Sequence, residues 1–227
     1  GSGNDVLSGG GGADLLIAGA GDDDILGDID WVATDFAWSV TDQPDGTRYF
    51  YPTAGNPSPT DSAADVIYAG EGSDHVWGSI GNDVMFGEGG DDTAYGEEGN
   101  DILLGGAGAD FMRGDGGSSP DTSGGNDYLD GGDGTDTLYG DGGDDVLIGG
   151  KGKDIMRGGA GRDTYIYNKG DGTDYAVDAD TGPEKSIVIF GAGVGKDDFK
   201  LRKGSLLLDF GNGDALHIEN FNPDDPL

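Results

Sequence analysis

Aspartate recurs every nine residues along most of this chain: at Asp5, Asp14 and Asp23, then at Asp65, Asp74, Asp83, Asp92, Asp101 and Asp110, then at Asp127, Asp136, Asp145, Asp154 and Asp163. A period this short cannot hold a helix–strand unit. It requires one small unit repeated along an axis, each copy leaning on its neighbours. Aligned on the aspartates, the blocks share the pattern Gly-Gly-x-Gly-x-Asp-x-U-x, with U bulky and apolar, nearly whole in residues 105–113. The U positions read Leu7, Leu16, Ile25, Ile67, Val76, Met85, Ala94, Leu103, Met112, Leu129, Leu138, Leu147, Met156 and Tyr165, of which only Ala94 is small.

The residue types suit a cation site. Glycine permits positive φ and close backbone approach, so the first six residues of each unit can curl tightly and aim carbonyl oxygens at one spot. The aspartate adds a negative charge there. With no cysteine and two histidines in the chain, the donors are hard oxygens in a variable geometry. Such a set suits Ca²⁺ better than Zn²⁺ or copper, and Mg²⁺ is disfavoured because it demands a near-ideal octahedron and keeps its waters. The other three residues are enough for a short strand whose middle side chain, U, points to one face. Two units make a coil of eighteen residues, and stacked coils bury the U residues in a thin core. Aspartates eighteen apart then share a side, with Asp65, Asp83 and Asp101 in one column and Asp74, Asp92 and Asp110 in the other. Each cation is expected between successive turns of a column.

Composition makes the cation a condition of folding. The chain has 49 glycines and is 34% hydrophobic. Ordering the backbone costs about 1–2 kcal/mol per residue, whereas one buried U side chain per unit returns only about 1.5–3 kcal/mol. The net charge of −33 adds self-repulsion. Without a counter-ion the chain is therefore expected to be expanded and unfolded, and cation binding energy becomes folding energy. The same charge excludes nucleic acid as a partner. No apolar stretch approaches the ~20 residues of a membrane-spanning helix, and no N-terminal signal peptide is recognised. The lack of cysteine fits a protein that uses calcium in place of disulfides.

Over roughly residues 1–26 and 62–167 these repeats resemble the calcium-binding repeat region of the repeats-in-toxin (RTX) family. The resemblance implies an all-β fold, a right-handed parallel β-roll (a β-solenoid of 18 residues per coil) with a C-terminal β cap. It implies that the fourteen periodic aspartates named above are metal ligands and that roughly ten Ca²⁺ ions bind. It further implies export by bacterial type I secretion machinery, folding on meeting calcium outside the cell, finishing first at the capped end, and a secreted, extracellular or cell-surface location. The chain opens inside a repeat, at Gly1-Ser2-Gly3, and is expected to be a fragment of a larger exported protein.

The phase breaks twice, by 33 residues within about 27–61 and by 8 residues around 116–124. Each break follows a Gly-Asp pair, Gly27-Asp28 and Gly114-Asp115, which places both in turns at the edge of the roll, where added length leaves the strands in register. The longer insertion holds Trp31, Phe36, Trp38, Tyr49, Phe50 and Tyr51. Its alternation over Thr34–Val40 and the turn signal Pro44-Asp45-Gly46 predict a hairpin packed on the roll. The rival reading is a side loop that binds a glycan or cell-surface ligand through its rings. Asp28, Asp30 and Asp115 are candidates to complete off-register sites. The expected organisation is a roll over residues 1–167 and a capping segment over 168–227. In the latter, Ser186–Phe190, Asp198–Leu201, Leu206–Phe210 and Ala215–Ile218 read as strands, and Gly170-Asp171-Gly172 in a degenerate turn over Gly170–Asp174 could hold a further ion.

Catalytic signatures are missing. The chain has no cysteine nucleophile, Gly-x-Ser-x-Gly or His-Glu-x-x-His, and His75 and His217 occupy positions expected of surface or packing residues. The reading is a non-catalytic, monomeric, calcium-binding module supporting secretion and folding of its parent. The alternative is an extracellular adhesion module, or a substrate-binding accessory of a polysaccharide-active enzyme, using residues 27–61.

Overall fold

The computed structural model describes residues 1–27, 38–42, 48–52, 63–116, 124–177, 186–192, 194–195, 206–211 and 213–219. Among them there is no helix, and nearly all strands belong to two sheets that share one core. The first sheet holds eight strands in the order β2 (Leu15–Ala20), β6 (Val66–Glu71), β8 (Val84–Gly89), β10 (Ile102–Gly108), β12 (Tyr128–Gly134), β14 (Val146–Gly152), β16 (Thr164–Tyr167) and β18 (Ile187–Phe190). The second, in order, holds β1 (Val6–Ser8), β3 (Asp24–Leu26), β7 (His75–Ile80), β9 (Thr93–Glu98), β11 (Phe111–Arg113), β13 (Thr137–Gly142), β15 (Ile155–Ala160), β17 (Thr173–Val177), β20 (Asp214–Glu219) and β19 (Leu206–Gly211). The chain alternates between the sheets through the repeats, so successive strands of one sheet are one coil apart. This is the expected parallel β-roll.

The register is the period made visible. Ile102 pairs with Val84, eighteen residues earlier, and with Tyr128, twenty-six later, because the short insertion intervenes. Across the long insertion Leu15 still pairs with Val66 and Ile25 with Val76. Both insertions therefore lengthen turns and leave the ladder intact. Within the long one, β4 (Trp38–Asp42) and β5 (Arg48–Pro52) form the expected antiparallel hairpin, with Val40 opposite Phe50. Its packing, Asp28, Asp30 and the expected strand at 198–201 lie outside the described residues.

The core is the U column from each sheet: Ile25, Ile67, Leu103, Leu129, Leu138 and Leu147 are fully buried. Most strands run longer than the expected three residues, because the glycine half of the unit also joins the ladder, while β1, β3 and β11 keep to three. Gly106 pairs with Gly132 and Gly108 with Gly134. Outside the core the two sheets differ. The first presents Val66, Tyr68, Val84, Phe86, Ile102 and Leu104 outward; the second presents His75, Trp77, Thr93, Tyr95, Arg113 and Tyr139. On the latter face Trp77 stacks between His75 and Tyr95, and His217 meets Tyr175 edge-on, so both histidines sit in surface packing.

Parallel pairing continues past Tyr167. β17 adds to β15 and β18 to β16, and β20 adds to β17 before turning back as the antiparallel partner of β19. Here the filling becomes bulky: Tyr165, Tyr167, Leu208 and Leu216 are buried, and Tyr167 stacks on Phe210.

Candidate metal centres

Each repeat ends its glycine turn and begins its strand at the aspartate, and that junction fixes the carboxylate. The backbone N–H of each aspartate donates to Oδ1 of the aspartate one coil further on. Asp65 donates to Asp83 at 2.8 Å, Asp83 to Asp101 at 2.8 Å, Asp101 to Asp127 at 2.8 Å and Asp127 to Asp145 at 2.9 Å. The same bonds link Asp14 to Asp65 and Asp145 to Asp163. On the other side Asp5, Asp23, Asp74, Asp92, Asp110, Asp136 and Asp154 form the second column in the same way. All fourteen sequence-predicted aspartates therefore stand in two columns, seven to a side. Asp5 is exposed and Asp14 half-buried at the open end, and the rest are buried.

Oδ1 is satisfied by this ladder; Oδ2 is not. In Asp74, Asp83, Asp92, Asp101, Asp110, Asp127, Asp136 and Asp145 that second oxygen is buried and receives no hydrogen bond. A buried carboxylate oxygen without a donor is costly, so its surroundings should show what it serves. The first glycine of each turn supplies the answer. A methyl group placed on Gly131 would fall 2.5 Å from Asp136 Oδ2 and 2.5 Å from the carbonyl oxygen of Gly149 in the next coil. At Gly78 the neighbours are Asp83 Oδ2 at 2.5 Å and the Gly96 carbonyl at 2.7 Å. Gly87, Gly96, Gly105 and Gly140 repeat the arrangement. At these six glycines the missing side chain thus lets one carboxylate oxygen and one carbonyl oxygen of adjacent coils approach the same point, whereas alanine, Ala18 and Ala69, holds the equivalent position before Asp23 and Asp74. Among the described residues no three acidic or histidine side chains converge, so any cation here takes backbone carbonyls for much of its coordination. That donor set fits Ca²⁺ and lacks the nitrogen or sulfur that zinc and copper prefer.

Burial raises the carboxyl pKa from 3.8 to about 6 in Asp74, Asp83 and Asp110 and to about 7 in Asp92, Asp101, Asp136 and Asp145. It raises Asp127 to about 8. The backbone N–H bond opposes the shift, and the neighbouring aspartates of the column add to it. Without a cation the column resists full ionisation at neutral pH.

Sequence reading missed three parts of this arrangement. Asp174 extends one column, accepting the Asp154 N–H at 3.0 Å. It follows a glycine turn displaced by two residues, so the strict period passes over it. Ser186 closes the other column, its hydroxyl accepting the N–H of Asp163 at 2.9 Å. Tyr165, at a U position, inserts its hydroxyl between the N–H of Gly158 (2.8 Å) and the carbonyl of Val177 (3.3 Å). Asp115, expected as an off-register ligand, accepts N–H bonds from Gly125 and Gly142 at 3.0 and 2.9 Å. It locks the turn that closes the short insertion.

The profile of the RTX calcium-binding nonapeptide repeat matches residues 1–30, 60–94, 86–119, 121–147, 130–165 and 139–174. The chain belongs to this family and is a calcium-binding RTX module. No curated protein matches it. Among solved structures it is similar to an extracellular lipase, LipA, from Serratia marcescens, at 16% identity and a TM-score of 0.35, over 72% of this chain and 37% of the lipase.

Proposed function

We propose that this module is a calcium-driven folding switch that supports secretion and extracellular folding of a larger protein. The observation that carries the reading is the row of buried aspartate oxygens without donors, in Asp83, Asp92, Asp101, Asp110, Asp136 and Asp145 beside a turn glycine that a carbonyl of the next coil also approaches. The fourteen periodic aspartates, through Oδ2, and the first-glycine carbonyls of adjacent coils would hold the ions. Bound Ca²⁺ supplies the positive charge that lets each column ionise while buried. The chain's part is to bring carboxylate and carbonyl of successive coils together and to keep competing side chains out. Roughly ten ions, each of charge two, would offset about two-thirds of the net charge. In cytosol poor in calcium the chain stays extended and passes through a type I secretion channel, and the extracellular ion then stacks the coils.

A calcium titration followed by far-UV circular dichroism, with magnesium as control, tests this. The expected result is a cooperative coil-to-β transition at sub-millimolar to millimolar Ca²⁺ that Mg²⁺ does not produce. A complete β signal in excess chelator would refute it. A second reading, carried by the aromatic residues of the long insertion, Trp31, Phe36, Trp38, Tyr49, Phe50 and Tyr51, is a glycan- or surface-binding accessory of the parent protein. Glycan-array binding that is lost on deleting the 33 residues 28–60, which restores the nine-residue spacing of Asp23 and Asp65, would favour it.

A further inference from the structure

The residue before each periodic aspartate is free in the repeat consensus, and on one side of the roll it builds a second ladder. The backbone N–H of Asn100 donates to Asn82 Oδ1 at 2.8 Å, that of Asn126 to Asn100 at 2.6 Å, that of Asp144 to Asn126 at 2.7 Å and that of Arg162 to Asp144 at 2.9 Å. These bonds reach back to the preceding coil, whereas the aspartate bonds beside them reach forward: Asn126 donates to Asn100 while Asp101 donates to Asp127. Four successive gaps between turns, from the Asp83 turn to the Asp163 turn, are thus laced in both directions. The other side is laced twice only in places. Asp22 donates to Asn4, Ser73 to Asp22 and Ala109 to Asp91. Ala109, Thr135 and Lys153 then carry no side-chain amide or carboxylate with which to continue.

The second ladder reaches the candidate sites through the peptide plane. N–H and C=O leave a trans peptide in opposite directions. Holding the Asn126 N–H to the coil behind therefore turns the Gly125 carbonyl to the coil ahead, where its oxygen lies 1.7 Å from a methyl placed on Gly143. The Gly81 carbonyl faces Gly99 at 1.4 Å and the Gly99 carbonyl faces Gly125 at 1.3 Å in the same way. Each stands between the same two turns as an aspartate Oδ2 and a first-glycine carbonyl. On the other side the Gly134 carbonyl still faces Gly152, at 1.5 Å, although Ala109 offers Thr135 no acceptor. The ladder thus holds an orientation that the turn already adopts. We infer that Asn82, Asn100, Asn126 and Asp144 are positioning residues for calcium, which fix these carbonyls and slow the release of ions from the four gaps they cross. The inference rests on the calcium reading above. Asparagine suits the task, because it supplies an acceptor without adding charge to a chain of net −33. For an ion to leave, two turns must part, and a doubly laced gap must break one more hydrogen bond, which slows release about fivefold.

Isotope exchange in the folded chain tests this. The protein is loaded with radiolabelled calcium and chased with an excess of unlabelled calcium, while circular dichroism reports folding separately. Release should fall into a fast and a slow phase about fivefold apart. Asn100→Ala/Asn126→Ala removes two of the four bonds and should move two ions from the slow phase to the fast one. Ala109→Asn/Thr135→Asn supplies two acceptors on the other side and should move two ions the opposite way. Both variants keep the net charge, so altered repulsion does not enter the comparison. A ladder that merely stiffened the roll would change the rate of every ion alike. Unchanged amplitudes in a folded Asn100→Ala/Asn126→Ala variant would therefore overturn the inference, as would a single phase in the parent. If that variant does not fold, the other decides: no gain in the slow phase refutes the positioning role. A parent chain that retains no label refutes the calcium reading itself, and this inference with it.

Discussion

The repeats before Tyr165 and the segment after it use the same two sheets but fill them differently. In the repeats, one apolar residue per nine positions is buried, and the sides of the coil are closed by the aspartate columns, where Oδ2 of Asp74, Asp83, Asp92, Asp101, Asp110, Asp127, Asp136 and Asp145 is buried and receives no hydrogen bond. In the final coils Tyr165, Tyr167, Leu208, Leu216 and Phe210 fill the interior, and one column ends at Asp174 and the other at Ser186, where an aspartate would stand. Tyr167 donates to Asp214, and Gly170 and Gly172 donate to the same carboxylate. On the proposed reading the repeats are held by ligation and the cap by packing. An open solenoid needs such a cap, because its last coil otherwise exposes core and ladder.

Four results would break or sharpen this contrast. Chelation is the largest: removing calcium should abolish the β signal of the whole chain, since the cap pairs with the last repeats and its hairpin cannot stand alone. Next is Gly131→Ala, whose methyl fills the space beside Asp136 Oδ2. It should remove one ion from the stoichiometry measured by calorimetry, or weaken that site by about 10–100-fold. Leu208→Ala in the cap should cost about 2–5 kcal/mol in saturating calcium while leaving the number of bound ions unchanged. Chemical denaturation with parallel calcium counting would separate the two classes. The smallest is Tyr165→Phe, which removes the hydroxyl between Gly158 and Val177 and should cost about 1 kcal/mol.

Acid should act on the repeats. Burial lifts Asp92, Asp101, Asp136 and Asp145 from 3.8 to about 7 and Asp127 to about 8. Between those values the folded, metal-free roll keeps protons that the unfolded chain has lost. The destabilisation is thus absent below about pH 4, grows as pH rises and is complete above about pH 8. Calcium-driven folding starts from an unfolded chain whose carboxylates are already ionised above about pH 5, so the midpoint calcium concentration should stay flat from pH 8 to 6 and rise only as pH falls towards 4, which a titration at each pH would show.

Most of the fold was legible because period, turn and core all speak through the same nine positions. The aspartate columns, the U core and the harmless insertions follow from counting. What escaped was whatever left the count. Asp174 sits two residues out of phase, and Ser186 replaces an aspartate after an offset no repeat predicts. Tyr165 fits the U rule as an apolar filler, yet its hydroxyl acts in the turn. Strand length was misjudged because glycine looks like turn alone, whereas Gly106 and Gly132 also pair across coils. The two outer faces differ in residues that the repeat consensus leaves free, so the pattern gave no reason to compare them.

The most direct test of the central claim is amide hydrogen exchange, resolved by residue, in saturating calcium and in chelator. The aspartate N–H groups of both columns, from Asp65 to Asp154, should be strongly protected with calcium and should exchange like an unfolded chain without it. Equal protection in the two conditions would mean that the roll stands by packing and hydrogen bonds alone, and the cation-held account would be wrong.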